Sequence, residues 1–403
     1  MINNMIRLNW SFLQKWLAVT VFLFVLLFIL SFPFPQAILP DIGTWCSPFF
    51  EFFVKWSAHH VFQIAMPFNF QIMSDSMGLY IHTFNLLLFS LVFGGIGAFF
   101  LKTSINPRLK YLFYAIIRYY LAIQLLAYGW SKVFKWQFYL PEPNILYTPL
   151  GKISPDLLYW STMGVSRSYT MFGGFAEILV AFLLFFRKTR LLGAIIGIGI
   201  MTNVVMINFS YDISVKFYSS FLLFLLILLV LLDAKRLFIF FIQNKNTPPN
   251  MLWRPNWKGN QIRWYRVLKT LIIGVILINS LEMYLSSGNF NDDKAARPPF
   301  HGAYEVTQFA INGELIPPSL DFKNRWKRFF VHRLDYFIIQ NMKDEMLDYK
   351  LKRESEHQLL ITDTRQPDQT MTATLFVEDE MVFFRAYNNK DTIEIEAIKL
   401  EIE

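Results

Sequence analysis

The sequence predicts an α-helical membrane bundle of about seven transmembrane helices followed by a C-terminal all-β barrel or sandwich domain. Three observations predict it. The 403 residues are 54% hydrophobic and only 17% charged, with 43 Phe, outside the range of an ordinary soluble domain. Seven apolar runs clear the roughly 17-residue minimum for crossing a bilayer: 16–34, 78–101, 111–134, 169–186, 191–208, 215–232 and 268–285. After residue 290 the pattern changes from a helical period to alternation. The charge balance reverses at the same place: residues 1–290 carry 23 Lys and Arg against 9 Asp and Glu, residues 291–403 carry 15 against 21.

In chain order, Arg7 and Lys15 precede the first apolar run, which reads as a retained helix because SFPFPQAILP offers no small-x-small cleavage site. Pro33 and Pro35 stop that helix. The excursion 36–77 contains FFEFFVKWSAHHVFQI, an amphipathic interfacial helix with Trp56 as its anchor. The linker 243–264 is rich in Asn, Pro and Trp and reads as a surface connector. Segments expected at the inner surface hold sixteen Lys and Arg and those at the outer surface six, so the N-terminus is cytoplasmic and the tail periplasmic or extracellular. The organisation is 1–110 for the first helices and the outer segment, 111–236 for a helical core, 237–290 for the linker and last helix, and 291–403 for the β domain. Strands are expected at 303–311, 325–332, 336–342, 346–352, 358–363, 370–377, 381–387 and 392–402, with a primed turn at Asn312-Gly313. Ile393 and Ile395 keep one phase and Ile398, Leu400 and Ile402 the other, which places a bulge near Glu396 or Ala397.

The basic surplus belongs to membrane topology rather than to nucleic acid. Cys46 is the single cysteine, so no internal disulfide forms. No Gly-rich phosphate loop, CxxC, HExxH or GxSxG occurs, which argues against soluble-type nucleotide, zinc or serine-hydrolase chemistry. His59-His60 diverge on a helix, and His301, His332 and His357 read as surface residues of the tail.

The run YLFYAIIRYYLAIQLLAYGWSKVFKWQF carries charge where a lipid-facing helix should not. Gln124, Tyr128 and Lys132 follow one another at i, i+4, i+8, with Arg118 in the same third of the circumference. Counted from Lys110 and Arg187, Arg118 and Glu177 reach matching depth, and an ion pair between them is expected, either as the wall of a site or as a lock between two helices. Gly173 and Gly174 let a helix or a flat ligand approach. A second layer joins Tyr128, Lys132 and Gln137 to Asn208, Tyr211, Asp212 and Lys216, with either lysine available to Asp212. Gln124 and Asn203 sit between the layers. Such a polar path suits a lipid-soluble molecule with a polar head, such as a quinone.

The residues Arg118, Leu121-Ala122, Tyr128-Gly129-Trp130-Ser131-Lys132, Gln137-Phe138, then Gly173-Gly174 and Glu177, resemble the DoxX-like membrane proteins over roughly 111–236. That resemblance implies a four-helix core. Some members are similar to the membrane subunit of a thiosulfate:quinone oxidoreductase, which implies quinone contact and a role as a quinone-linked oxidoreductase subunit; the family offers no settled catalytic residues. A weaker likeness, to vitamin K-dependent carboxylase-like proteins, rests on a multi-helix core followed by a β-rich exterior region and also implies quinol chemistry, with a lysine as base. A non-enzymatic alternative is an anchor presenting the β domain to a periplasmic or envelope partner.

Overall fold

The computed structural model describes residues 10–32, 42–64, 74–101, 105–248, 253, 255–322, 325–366, 368–378, 381–388 and 390–401. The expected stop at Pro33 and Pro35 lies outside them. The chain divides into two compact units, 1–137 with 166–292, and 138–165 with 293–403.

The first unit is helical: α1 Phe12–Ser31, α2 Ile42–His60, α3 Met77–Phe100, α4 Pro107–Val133, and in the second half α7 Arg167–Phe185, α8 Arg190–Ser210, α9 Lys216–Leu231, α10 Ala234–Phe241 and α11 Asn260–Ser287. Local chemistry sets several ends. Ser11 and Gln14 form a capping box before α1, and Asn106 accepts from the Arg108 amide ahead of Pro107 at the start of α4. Gly288 takes φ 65° to end α11. Six of these helices are long and apolar enough to cross a membrane; α9 with α10, bent by 70°, makes up to seven. The seven correspond to the seven expected runs. α11 begins at Asn260 rather than 268, because two exposed turns carrying Arg263 and Arg266 extend the apolar stretch.

α4 is the hub. Ile117, Leu121, Ala122 and Leu126 on it are fully buried, against Val180, Ala181 and Leu184 of α7 and Leu222, Leu225 and Leu226 of α9. Phe99, Phe100, Phe172 and Leu271 instead turn outward, an apolar exterior suited to hydrocarbon.

The second unit is a closed barrel. Strands β1 Gly302–Ile311, β3 Trp326–Val331, β4 Tyr336–Asn341, β5 Met346–Arg353, β6 Gln358–Asp363, β7 Thr370–Glu378, β8 Met381–Tyr387 and β9 Thr392–Leu400 pair antiparallel in order, and β9 returns to β1. The two-residue β2, Glu314–Leu315, hangs on β1 through Asn312 and Gly313, whose φ of 52° and 83° make the expected primed turn. The bulge lies at the expected level but on the other strand. Pairing shifts between Val306 and Gln308 of β1, opposite Ala397 and Glu396. β9 stays regular, and small Ala397 takes the inward place while Ile398 turns out.

The barrel interior is filled by Trp326, Phe329, Phe337 and Phe384, with Phe337 and Phe384 stacked at 5.3 Å between centroids. Outside it, Ala303, Phe330 and Ile338 form a second buried cluster. The cover for that cluster is Tyr147, just after α5 (Pro143–Leu146), whose ring lies 6.1 Å from Phe330. α6, Pro155–Val165, completes the same segment. Residues 138–165, read from the sequence as part of the helical core, therefore group with the barrel.

Candidate functional site

α4 and α7 run antiparallel with their backbones in contact. A Cβ added to Gly174 would stand 2.6 Å from the Gly129 carbonyl oxygen, and one added to Gly129 would meet the Gly174 oxygen at 2.9 Å. Only glycine at both positions permits this approach. One turn along each helix the side chains of Lys132 and Glu177 meet. Lys132 Nζ donates to both carboxylate oxygens at 2.6 Å, and the two side chains are only 10% and 4% exposed. The Tyr128 ring centroid is 5.7 Å from Nζ. Further along α4 the Gln124 amide nitrogen is buried with no partner, and the hydroxyls of Tyr120 and Tyr218 are 3.0 Å apart. Tyr128, Lys132 and Glu177 thus come together inside the bundle as a buried ion pair with an aromatic wall, and the unused Gln124 donor lies about two turns further along α4.

Arg118 does not join them, a correction to the expected Arg118 to Glu177 pair. Tyr119 packs on Phe185 at 5.7 Å between rings, so Arg118 is level with the end of α7, about two turns from Glu177. Counting depth from Lys110 and Arg187 misplaced it, because Arg118 and Arg187 line one cleft at that end. The cation that neutralises Glu177 is Lys132, expected in the outer layer.

That layer is also rearranged. Asp212 pairs with Lys216 at 2.6 Å, with its own side chain 83% exposed, rather than with Lys132. Asp75, which the hydropathy pattern left without a role, accepts from the amides of Lys216 and Phe217 at 2.8 and 3.0 Å and fixes the start of α9. Asn208 donates to Ser219 Oγ at 3.0 Å, Gln137 accepts from Ser131 at 3.3 Å, and Asn203 is exposed on the outside of α8. None of these four groups (Asn203, Asn208, Gln137, Asp212) touches the Lys132 and Glu177 pair.

The barrel unit holds a second buried carboxylate. Glu142, 3% exposed, accepts from His301 Nε2 at 3.1 Å, from the Arg333 amide at 3.2 Å and from Arg333 Nε, with His332 Nε2 3.7 Å away. Burial alone would raise this carboxyl; the His301 hydrogen bond, the His332 charge and Arg333 outweigh it and hold it at about 2. Burial lowers His332. The reading of His301 and His332 as surface residues is thereby corrected. Their partner sits 159 residues before His301 and 190 before His332, where only the fold brings it near. Among the described residues no three His, Cys, Asp or Glu side chains converge as a metal site requires.

No family model and no solved structure matches the chain. A curated relative, the uncharacterized protein YwoB of Bacillus subtilis (strain 168), is 32% identical over 131 residues, an alignment covering 30% of this chain and 77% of the relative. The chain therefore belongs to the same family as YwoB.

Proposed function

We propose that the chain is a multi-pass, DoxX-like protein of the cytoplasmic membrane whose helical unit binds a quinone-like lipid at the Lys132 and Glu177 pair and takes part in membrane redox chemistry. In this reading the N-terminus is cytoplasmic and the barrel lies on the outer side, which the sixteen-to-six bias of basic residues supports. The observation that carries the reading is the buried ion pair itself. Taking two charges out of water is costly, and a pair of apolar side chains would hold α4 to α7 as well. A charged lysine beside a tyrosine ring and an unpaired Gln124 donor suits a carbonyl-bearing head group, with Lys132 and Gln124 donating to its oxygens and Tyr128 flanking its ring. Vitamin K-dependent carboxylase-like chemistry would use the same lysine as a base and is the narrower alternative.

The test is the quinone content of the purified full chain. Wild type retains quinone through detergent extraction, and the Lys132→Met, Glu177→Leu double variant loses at least tenfold of it at normal yield. Equal retention by the two removes the reading.

One observation favours a second reading, an anchor that presents the barrel to an envelope partner. With its interior filled, the barrel can recognise only through its surface, where Phe376 and Phe383 pair across β7 and β8 and both face outward. Phe376→Ser with Phe383→Ser separates the readings: abolished cross-linking to a partner with unchanged quinone content supports the anchor.

A further inference from the structure

We propose that Arg118, Arg187 and Arg190 form a binding site for a phosphate-type oxyanion where α7 turns into α8. The site is independent of the quinone reading.

The three guanidinium-bearing residues line one cleft with Tyr111, Tyr114 and Leu229. Arg118 is 6% exposed and, among the described residues, faces no carboxylate; its guanidinium meets only the Tyr119 ring, at 5.9 Å. Arg190 is 8% exposed, and its Nη1 is buried without a hydrogen bond. Its other terminal nitrogen pairs with Asp233 at 2.6 Å, but that carboxylate is shared with Arg236 at 3.7 Å. Arg187 stacks over Tyr111 at 4.9 Å. Lys269 lies 4.8 Å over Phe186 beside them. Arg118 and Arg190, both buried, therefore have only the one divided charge of Asp233 near them among the described residues, inside a bundle where an uncompensated cation is costly. An anion balances the account.

The chemistry of the donors selects its class. Guanidinium forks match the oxygens of phosphate and its esters. α8 opens there with no side-chain cap, because the Thr189 hydroxyl donates back to the Leu183 carbonyl at 2.7 Å, so the first amides of the helix add donors. The cleft is about 10 Å³, room for one oxygen of such a group. Tyr111 and Tyr114 line the cleft as well, the residue type that sits at lipid head-group level. A phospholipid head group and free phosphate share this chemistry.

The full chain in uncharged detergent is titrated with phosphatidylglycerol, and separately with inorganic phosphate against chloride at equal ionic strength, following the melting temperature. Wild type is stabilised by phosphatidylglycerol, Arg118→Met needs roughly tenfold more for half the effect, and Arg118→Lys, which keeps the charge and loses the fork, falls between. Inorganic phosphate that displaces the lipid assigns the site to soluble phosphate, and phosphate that does not assigns it to the head group. Because Arg118→Met removes an unbalanced charge, its melting temperature without lipid is expected to be no lower than wild type; Arg118→Gln replaces it should it fail to fold. Unchanged half-saturation in the Arg118 variants, or no stabilisation of wild type by either ligand, overturns the proposal.

Discussion

Among the described residues each unit buries one glutamate, and the two are neutralised in opposite ways. In the helical unit Glu177 has, among the described residues, a single partner, Lys132, on a helix whose backbone touches its own. In the barrel unit Glu142 has several donors, from His301 and from the side chain and amide of Arg333, with His332 close by. The difference is one of redundancy. A lone salt bridge is all or nothing, since losing either end strands a charge; a shared carboxylate belongs to a network that ties distant segments together and responds to pH in stages.

The largest test of that contrast is Lys132→Met. Leaving Glu177 buried without its cation is expected to cost about 3–5 kcal/mol, and adding Glu177→Leu should restore most of it. Detergent-driven unfolding of the single and double variants measures both. A double variant no better than the single would mean the pair is not an isolated unit.

Acid separates the two units next. Glu142 titrates near 2 in the folded chain against an ordinary 4.5, so its contribution, about 3 kcal/mol, is full above pH 4.5 and is lost as the pH falls towards 2. His332, held below its ordinary 6.5 by burial, also resists protonation, so stability begins to fall below pH 6.5. The barrel's melting temperature, followed by Trp326 fluorescence, should decline in two steps. Glu142→Gln should lie lower at neutral pH and lack the lower step.

Two glycine changes give the smallest effects, of opposite sign. Gly174→Ala forces a Cβ against the Gly129 oxygen and should cost about 1–3 kcal/mol, with Lys132 and Glu177 drawn apart. Gly199, on the same bundle, has open space around it, and Gly199→Ala should stabilise by about 0.5–1 kcal/mol through helix propensity alone. Equal melting shifts for the two would mean the α4 and α7 approach is looser than described.

The fold was legible where a periodic signal carried it. Seven apolar runs and eight alternating ones each became an element, because hydrocarbon and a filled barrel both demand uninterrupted patterns. The Asn312-Gly313 turn was legible because its φ values need those residues. The candidate site was legible only in part. Lys132 and Glu177 stood out as charges in apolar runs, but which charge met which depended on helix register, and flanking basic residues do not mark a common height. The long reach of Arg187 to Tyr111 shows why. Glu142, His301 and Arg333 left no trace as a set, since a contact between residues so far apart in the chain has no period to follow. Asp75 was hidden for the same reason.

That β9 closes on β1, and that residues 138–165 belong with both, fixes an order of events at the ribosome. Residues 138–165 emerge early, yet their partner strands follow only after residues 166–292, on the order of ten seconds of translation at about 5–20 residues per second. Tyr147 and Glu142 must wait through that interval without their partners. Maturation of the barrel is thus necessarily the late step of biogenesis.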